Sequence, residues 1–348
     1  MSATRRIPIS PEALAGLNLG FFSTLVDWTF KPIAKPVKPA HSVHGNWEDI
    51  EGLPEHLTGL FEPDPDVYSS RRGTGSSAVI WRGYLNFNGT RHEVAAKERY
   101  FGGVNNSPDK SQTFAEKTSR EVKVLRRLKH SNIVNYLGVS IGELRGRDHN
   151  QLLIITSLCD GGGLQNYMKH HPDFPRLSLV LDIARALEYI HDNDVVHGQL
   201  KPRNIAVTSS GAIVKAVLCD FSCARIIGED GFIPWSSRYG SYRYTPHEIA
   251  KPFNQIPVHV SKAGDIYAFA FVALLILSGK EAFEVDGWVN VFDAADRLLA
   301  GERPLRESHQ AQELSDDVWR LLESCWAVEA SQRPSARSVV LALTPLVI

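Results

Sequence analysis

Cysteine is scarce: Cys159, Cys219, Cys223 and Cys325 are the only four in a chain of 348 residues. They show neither a C-x-x-C pair nor the spacing of a disulfide framework. That excludes a disulfide-stapled scaffold and leaves reduced thiols in a cytoplasmic protein as the expectation. An excess of one charge is missing as well. With 38 Lys and Arg against 39 Asp and Glu, the formal net charge is −1. No bulk attraction to nucleic acid or to an anionic membrane follows from such a balance. A long apolar run is also absent. The longest, Ile266 to Leu277, has 12 residues, too short for a hydrocarbon core of roughly 30 Å. It reads as a helix buried inside a large domain, so neither nucleic acid nor membrane is an expected partner.

What is present fits a globular protein: 43% hydrophobic and 22% charged residues, with length for one large two-lobed domain or two ordinary ones. Near the start, Ala13 to Phe30 is fairly apolar and follows Arg5 and Arg6. Glu12 and Asp27 interrupt it and no small-residue cleavage pattern follows, so an amphipathic helix resting on the domain is expected rather than a targeting signal. Three Lys-Pro steps between residues 31 and 39 fix φ repeatedly and read as an extended linker. Residues 1–65 are therefore taken as an N-terminal extension, with periodic structure beginning near Val67.

From there Ala78–Phe87 and Arg91–Glu98 read as strands joined by Asn88-Gly89, a strong hairpin signal. Gln112–Lys129 reads as a helix with Leu125 and Leu128 inward and Glu121 on the same face. Strands are expected around Val134–Val139 and Leu152–Thr156. Beyond Gly161-Gly162-Gly163 the periodicity turns helical, over Leu177–His191, the run ending at Leu277, and Asp317–Trp326. A strand-rich third followed by a helical remainder implies two lobes of different class.

Three stretches carry chemistry. Gly73-Thr74-Gly75-Ser76-Ser77-Ala78 lies between strands, where glycine backbone can approach phosphate oxygens. By itself it is equally a plain hairpin, and Ala78 stands where a third glycine would. Val94-Ala95-Ala96-Lys97 places a lysine on the next strand. Either the lysine is a solvated strand end, or it meets phosphates with Glu121 holding it. The third stretch is His197-Gly198-Gln199-Leu200-Lys201-Pro202-Arg203-Asn204, followed by Cys219-Asp220-Phe221-Ser222.

Taken in order, these motifs resemble the protein-kinase signature set. His130-Ser131-Asn132-Ile133-Val134, the hinge-like Ile155-Thr156-Ser157-Leu158 with Thr156 at the gatekeeper, and Pro246-His247-Glu248 extend the likeness. Cys325-Trp326 and Arg333-Pro334 resemble the last helices of tyrosine-kinase-like members. The resemblance covers about residues 66–345. It implies an α+β, bilobal protein-kinase-like fold: an antiparallel β-rich N-lobe with one helix (66–156) and a mostly α-helical C-lobe (160–345).

The cofactors implied are ATP and Mg²⁺. Lys97 would contact ATP phosphates and Glu121 would pair with it. Gly73 and Gly75 belong to the phosphate loop, and Asn204 and Asp220 would hold the metal through hard oxygens. Ala78 is counted with the nucleotide residues. Ile80, Ala95 and Ala206 would enclose the adenine, with Thr156 beside it and the backbone at Ser157 and Cys159 meeting its edge. Lys201 matches the Ser/Thr-type loop, where it approaches the transferred phosphate. Glu248 and Arg333 would form a structural ion pair.

The chain departs from the family at three places. Gln199 stands where active kinases carry the aspartate that accepts the substrate proton, and a carboxamide has no useful basicity at neutral pH. Gly198 replaces the arginine that in many kinases receives an activation-loop phosphate, although Ser236, Ser237, Tyr239, Ser241 and Tyr242 remain as hydroxyls. Ser222 replaces the glycine of the metal motif. The reading is an ATP-binding pseudokinase that works as a scaffold or allosteric partner of an unidentified signalling protein. The alternative is a slow Ser/Thr kinase acting on a protein substrate. A small-molecule phosphotransferase, suggested by His197-Gly198, and a nucleotide-free interaction module are further readings.

Overall fold

The computed structural model describes residues 42–43, 55–64, 71–74, 78–99, 118–142, 151–210, 213–229, 242–250, 260–284 and 290–347. The apolar segment Ala13–Phe30, the Lys-Pro stretch, Gly75 and the hydroxyls at 236, 237, 239 and 241 lie outside the described residues.

Seven strands form the first sheet: β1 (Ser42–Val43), β2 (Phe61–Pro63), β3 (Arg71–Thr74), β4 (Ala78–Phe87), β5 (Thr90–Arg99), β6 (Tyr136–Gly142) and β7 (Gln151–Ser157). Its main path runs β2-β4-β5-β7-β6, all antiparallel, with β3 on β4 and the short β1 parallel to the start of β5. Asn88 at φ 47° and Gly89 at φ 76° make the turn that the sequence predicts between β4 and β5. Both lie in the left-handed region that a two-residue hairpin of this twist needs.

Register explains why the sheet has two different faces. Paired residues point to the same side, and Ile80 pairs with Lys97, Lys97 with Ile154, and Ala95 with Thr156. The intervening residues point the other way. Leu85, Val94, Ala96, Leu137, Leu153 and Ile155 make a separate core there with Leu57 and Phe61.

That core shifts the start of ordered structure upstream of the expected Val67. Leu57 is fully buried, β2 pairs with β4, and on β6 the Val139 carbonyl accepts from the Leu57 N–H while the Val139 N–H donates to the Glu55 carbonyl. The sequence hid this because the segment is too short to show a period.

The helix expected over Gln112–Lys129 is described as helix over 118–125 with a turn at 126–127, and 112–117 lie outside the described residues. Val124, Leu125 and Leu128 are buried, as the pattern predicts. The remainder is helical around Lys262–Ser278, in which every residue from Gly264 to Leu277 is buried. Ser261 caps its start by accepting from the Gly264 N–H, and Gly279 at φ 74° ends it. Arg176–Asp192, Asp316–Cys325 and Ala336–Leu343 pack around it into one large apolar cluster. Three small strands, β8 (Gly162–Gly163), β10 (Ile205–Ser210) and β11 (Ile213–Leu218), form a second sheet. Strands β9 (Val195–Val196) and β12 (Arg225–Ile226) pair next to the loop 197–204. A β-rich lobe with one helix and a helical lobe make the bilobal fold the sequence predicts. Among the described residues no helix is long and apolar enough to cross a membrane.

The Glu248–Arg333 pair forms as expected. Arg333 donates to both carboxylate oxygens, at 2.7 and 2.9 Å, with its own side chain fully buried.

Candidate active site

Five of the predicted site residues share the one sheet face that is not the Leu57–Phe61 core: Ala78, Ile80, Ala95, Lys97 and Thr156. The backbone of Gly73 pairs with Ile80, so the glycine-rich stretch begins directly over that face. Strand periodicity of two is what gathers them.

Lys97 is held from two sides. Its ammonium donates to Glu121 Oε1 and to Asp220 Oδ1, each at 2.6 Å. Glu121 comes from the helix 118–125 and Asp220 from the loop after β11. Glu121 is 1% exposed and the Lys97 side chain 10%. A buried ion pair of this kind is costly to break by truncating one partner, about 3–5 kcal/mol. Asp220 is left-handed at φ 60° and its Oδ1 also accepts from the Ser222 N–H at 3.3 Å. Phe221 is fully buried behind it, its ring 5.0 Å from that of His197.

The loop 197–204 is fixed by its own hydrogen bonds. Asp265, near the start of the apolar helix, accepts from the backbone N–H groups of His197 and Gly198, both at 2.8 Å, and lies 3.0 Å from His191 Nε2. His197 Nδ1 accepts from the Gln199 N–H at 3.3 Å, while its Nε2 donates to the Cys219 carbonyl at 3.2 Å. That donor and acceptor pattern belongs to the neutral ring, and burial holds the His197 pKa below its ordinary value. Asn204 is buried, and its Nδ2 donates to the Gln199 carbonyl at 2.8 Å. Lys201 lies beside these groups. Burial lowers its pKa, Arg203 and Lys97 act the same way, and Asp220 opposes them.

Gly198 sits at φ 74°, and a Cβ there would lie 2.7 Å from the Cys223 carbonyl and 2.8 Å from Val260. The glycine is thus demanded by the close packing of the loop, beyond the loss of an arginine side chain.

At the hinge, Ser157 donates its N–H to the Asn135 carbonyl, and its carbonyl accepts from the Thr156 hydroxyl. Cys159 and Ala206 are partly exposed, Ala206 on β10 opposite Gly163. Sequence reasoning missed two features. The Cys219 thiol is pushed well above its ordinary pKa, first by a hydrogen bond with Cys159 and then by burial, so these two thiols meet. The other is the role of Asp265: the family likeness places it at the opening of the central helix, but not as the anchor of the loop.

The donor set suits a triphosphate with a hard cation. The Lys97 ammonium matches phosphate oxygens. The Asp220 carboxylate and the Asn204 amide oxygen are hard donors that suit Mg²⁺ when the nucleotide supplies further oxygens. Among the described residues no cluster of three or more His, Cys, Asp or Glu could hold a metal.

The family model described as a protein kinase domain matches residues 69–342. A probable serine/threonine-protein kinase of Dictyostelium discoideum, kinY, is 30% identical over 261 residues, covering 69% of this chain and 42% of that protein. The serine/threonine-protein kinase VIK of Arabidopsis thaliana is 30% identical over 223 residues, 62% of this chain and 47% of its own. A receptor-type guanylate cyclase of Drosophila melanogaster is 28% identical over 242 residues, 65% of this chain and 15% of that protein. The chain spans less than half the length of these curated relatives.

Proposed function

The chain belongs to the protein kinase domain family, and from that premise we propose that it binds Mg-ATP and acts as a catalytically impaired, tyrosine-kinase-like pseudokinase. It would serve a signalling protein in the cytoplasm as a scaffold or allosteric partner, through a domain taken as 66–345. The observation that carries this reading is the Lys97 ammonium, 2.6 Å from both Glu121 and Asp220, in a cleft whose catalytic-base position holds Gln199.

In this reading Lys97 supplies a fixed positive charge for the phosphates and Glu121 keeps it from turning away. Asp220 and Asn204 supply oxygens to Mg²⁺, which when bound neutralises phosphate charge. Lys201 lies by the acceptor side. Gln199 can position an incoming hydroxyl by hydrogen bonding but takes no proton, and a placed general base is worth roughly 10²- to 10⁴-fold. Positioning and charge stabilisation supply the rest of phosphoryl transfer.

A thermal-shift titration with Mg-ATP tests the nucleotide half. Wild type should be stabilised and Lys97→Met should not. Equal responses of the two proteins would sink it.

The second reading, a slow Ser/Thr kinase, is favoured by Lys201 and by the names of two relatives. The guanylate cyclase shows that similarity to this domain also occurs in a protein named for another activity. Labelled γ-phosphate transfer that disappears in Asp220→Ala would establish the slow kinase.

A further inference from the structure

We propose that two carboxylates outside the catalytic loop, Glu229 and Glu55, are positioning residues that hold the helix 118–125 where Glu121 meets Lys97, so that no charge need be added to the activation segment for the nucleotide site to form. The proposal rests on the nucleotide-binding reading above. Glu229 lies nine residues beyond Asp220. Its two carboxylate oxygens reach Lys123 Nζ at 2.5 Å and Arg127 at 2.7 Å. Lys123 lies in the helix and Arg127 four residues on, in the turn that ends it. Glu121, Leu125 and Leu128 occupy another side, facing inward.

Arg126 reaches a different anchor, Glu55 Oε2 at 3.0 Å. Glu55 is placed rigidly. Its carbonyl accepts from the Val139 N–H at 2.9 Å, and Leu57 returns a bond to the Val139 carbonyl at 2.8 Å. The Tyr136 hydroxyl donates to the Glu55 carboxylate at 3.4 Å. The approach is close enough that a Cβ on Gly138, at φ 153°, would lie 2.4 Å from the Glu55 carbonyl oxygen. Two stretches of chain, one at Glu55 and one following the metal motif, therefore brace this helix and the turn that ends it through three cations. Lys123 first and Arg127 second hold the Glu229 carboxyl below its usual range, so this anion is present at any physiological pH. A phosphate on the activation segment would ordinarily find an arginine at the position of Gly198, and this chain has none.

Each pair is partly exposed, so single losses should be modest. In the full chain, Mg-ATP affinity by calorimetry should weaken about three- to fivefold in Glu229→Gln and about tenfold in Glu55→Gln/Glu229→Gln, each 1.4 kcal/mol being tenfold. The melting temperature without nucleotide should barely move. Reversing all three charges of the front brace, Lys123→Glu, Arg127→Glu and Glu229→Arg, should restore affinity to near wild type. Unchanged affinity in the double variant overturns the proposal, and so does a loss that the reversed triple fails to rescue. If wild type binds no Mg-ATP, the nucleotide reading falls on its own. Hydrogen exchange over 118–125 then decides: faster exchange in the double variant sustains the brace, and identical protection overturns it.

Discussion

The upper and lower walls of the candidate site are built by different means. On the upper wall, strand register and one helix place Ile80, Ala95, Lys97 and Glu121 on one side, and the charged pair is almost fully buried. On the lower wall, a loop without regular structure is pinned by Asp265, His197 and Asn204. The lower loop has a full hydrogen-bond frame and carries glycine at 198 and a carboxamide at 199. A frame made of backbone and buried acceptors leaves the Gln199 side chain open to exchange, whereas position 198 is closed by its neighbours. A buried ion pair does not tolerate loss of one partner.

The largest expected effect addresses that contrast directly. Gln199→Asp should raise γ-phosphate transfer to a generic protein substrate by about 10²- to 10⁴-fold, with Mg-ATP affinity unchanged. If the variant stays as slow as wild type, the lower wall has lost more than its base.

Next in size is the scaffold beneath the lower wall. Glu248→Ala leaves the buried Arg333 guanidinium without its bidentate partner and should cost about 3 kcal/mol in urea unfolding, the m-value unchanged. Nucleotide affinity should survive in the folded fraction. A loss of affinity of the same size would show that the two walls are coupled.

The smallest effect is acid sensitivity of the lower half. His197 and His130 are both depressed below 6.5 by burial, and each accepts a backbone N–H at Nδ1. The unfolded chain takes up these protons near pH 6.5 while the folded one resists. The stabilisation is therefore present above that pH and is lost as pH falls below it. The melting temperature should decline steadily on acidification through this window, and a flat profile down to about pH 5 would contradict the neutral-ring frame.

Much of this was legible beforehand. The β4–β5 hairpin, the helix Arg176–Asp192 and the apolar helix ending at Ser278 follow from period and turn residues, because burial on one face writes itself into the sequence. Lys97, Glu121, Asp220 and Asn204 stood out by motif order, and the structure brings Lys97, Glu121 and Asp220 into contact. Long-range pairing of isolated residues leaves no period. Glu55 with Arg126, Glu229 with Lys123, and Cys159 with Cys219 meet only because the fold delivers them, as does Asp265 beneath the loop. Leu57 and Phe61 were hidden for a related reason: a three-residue strand cannot display alternation.

Gly198 carries a consequence for the history and the engineering of this loop. With the Cys223 carbonyl and Val260 occupying the space of any side chain, an arginine cannot be returned there by one substitution without moving two neighbouring segments. A side chain at 198 would require the backbone at 223 and the Val260 side chain to move, whereas an acid at 199 requires one codon. An acid at 199 is therefore a smaller change to this loop than an arginine at 198.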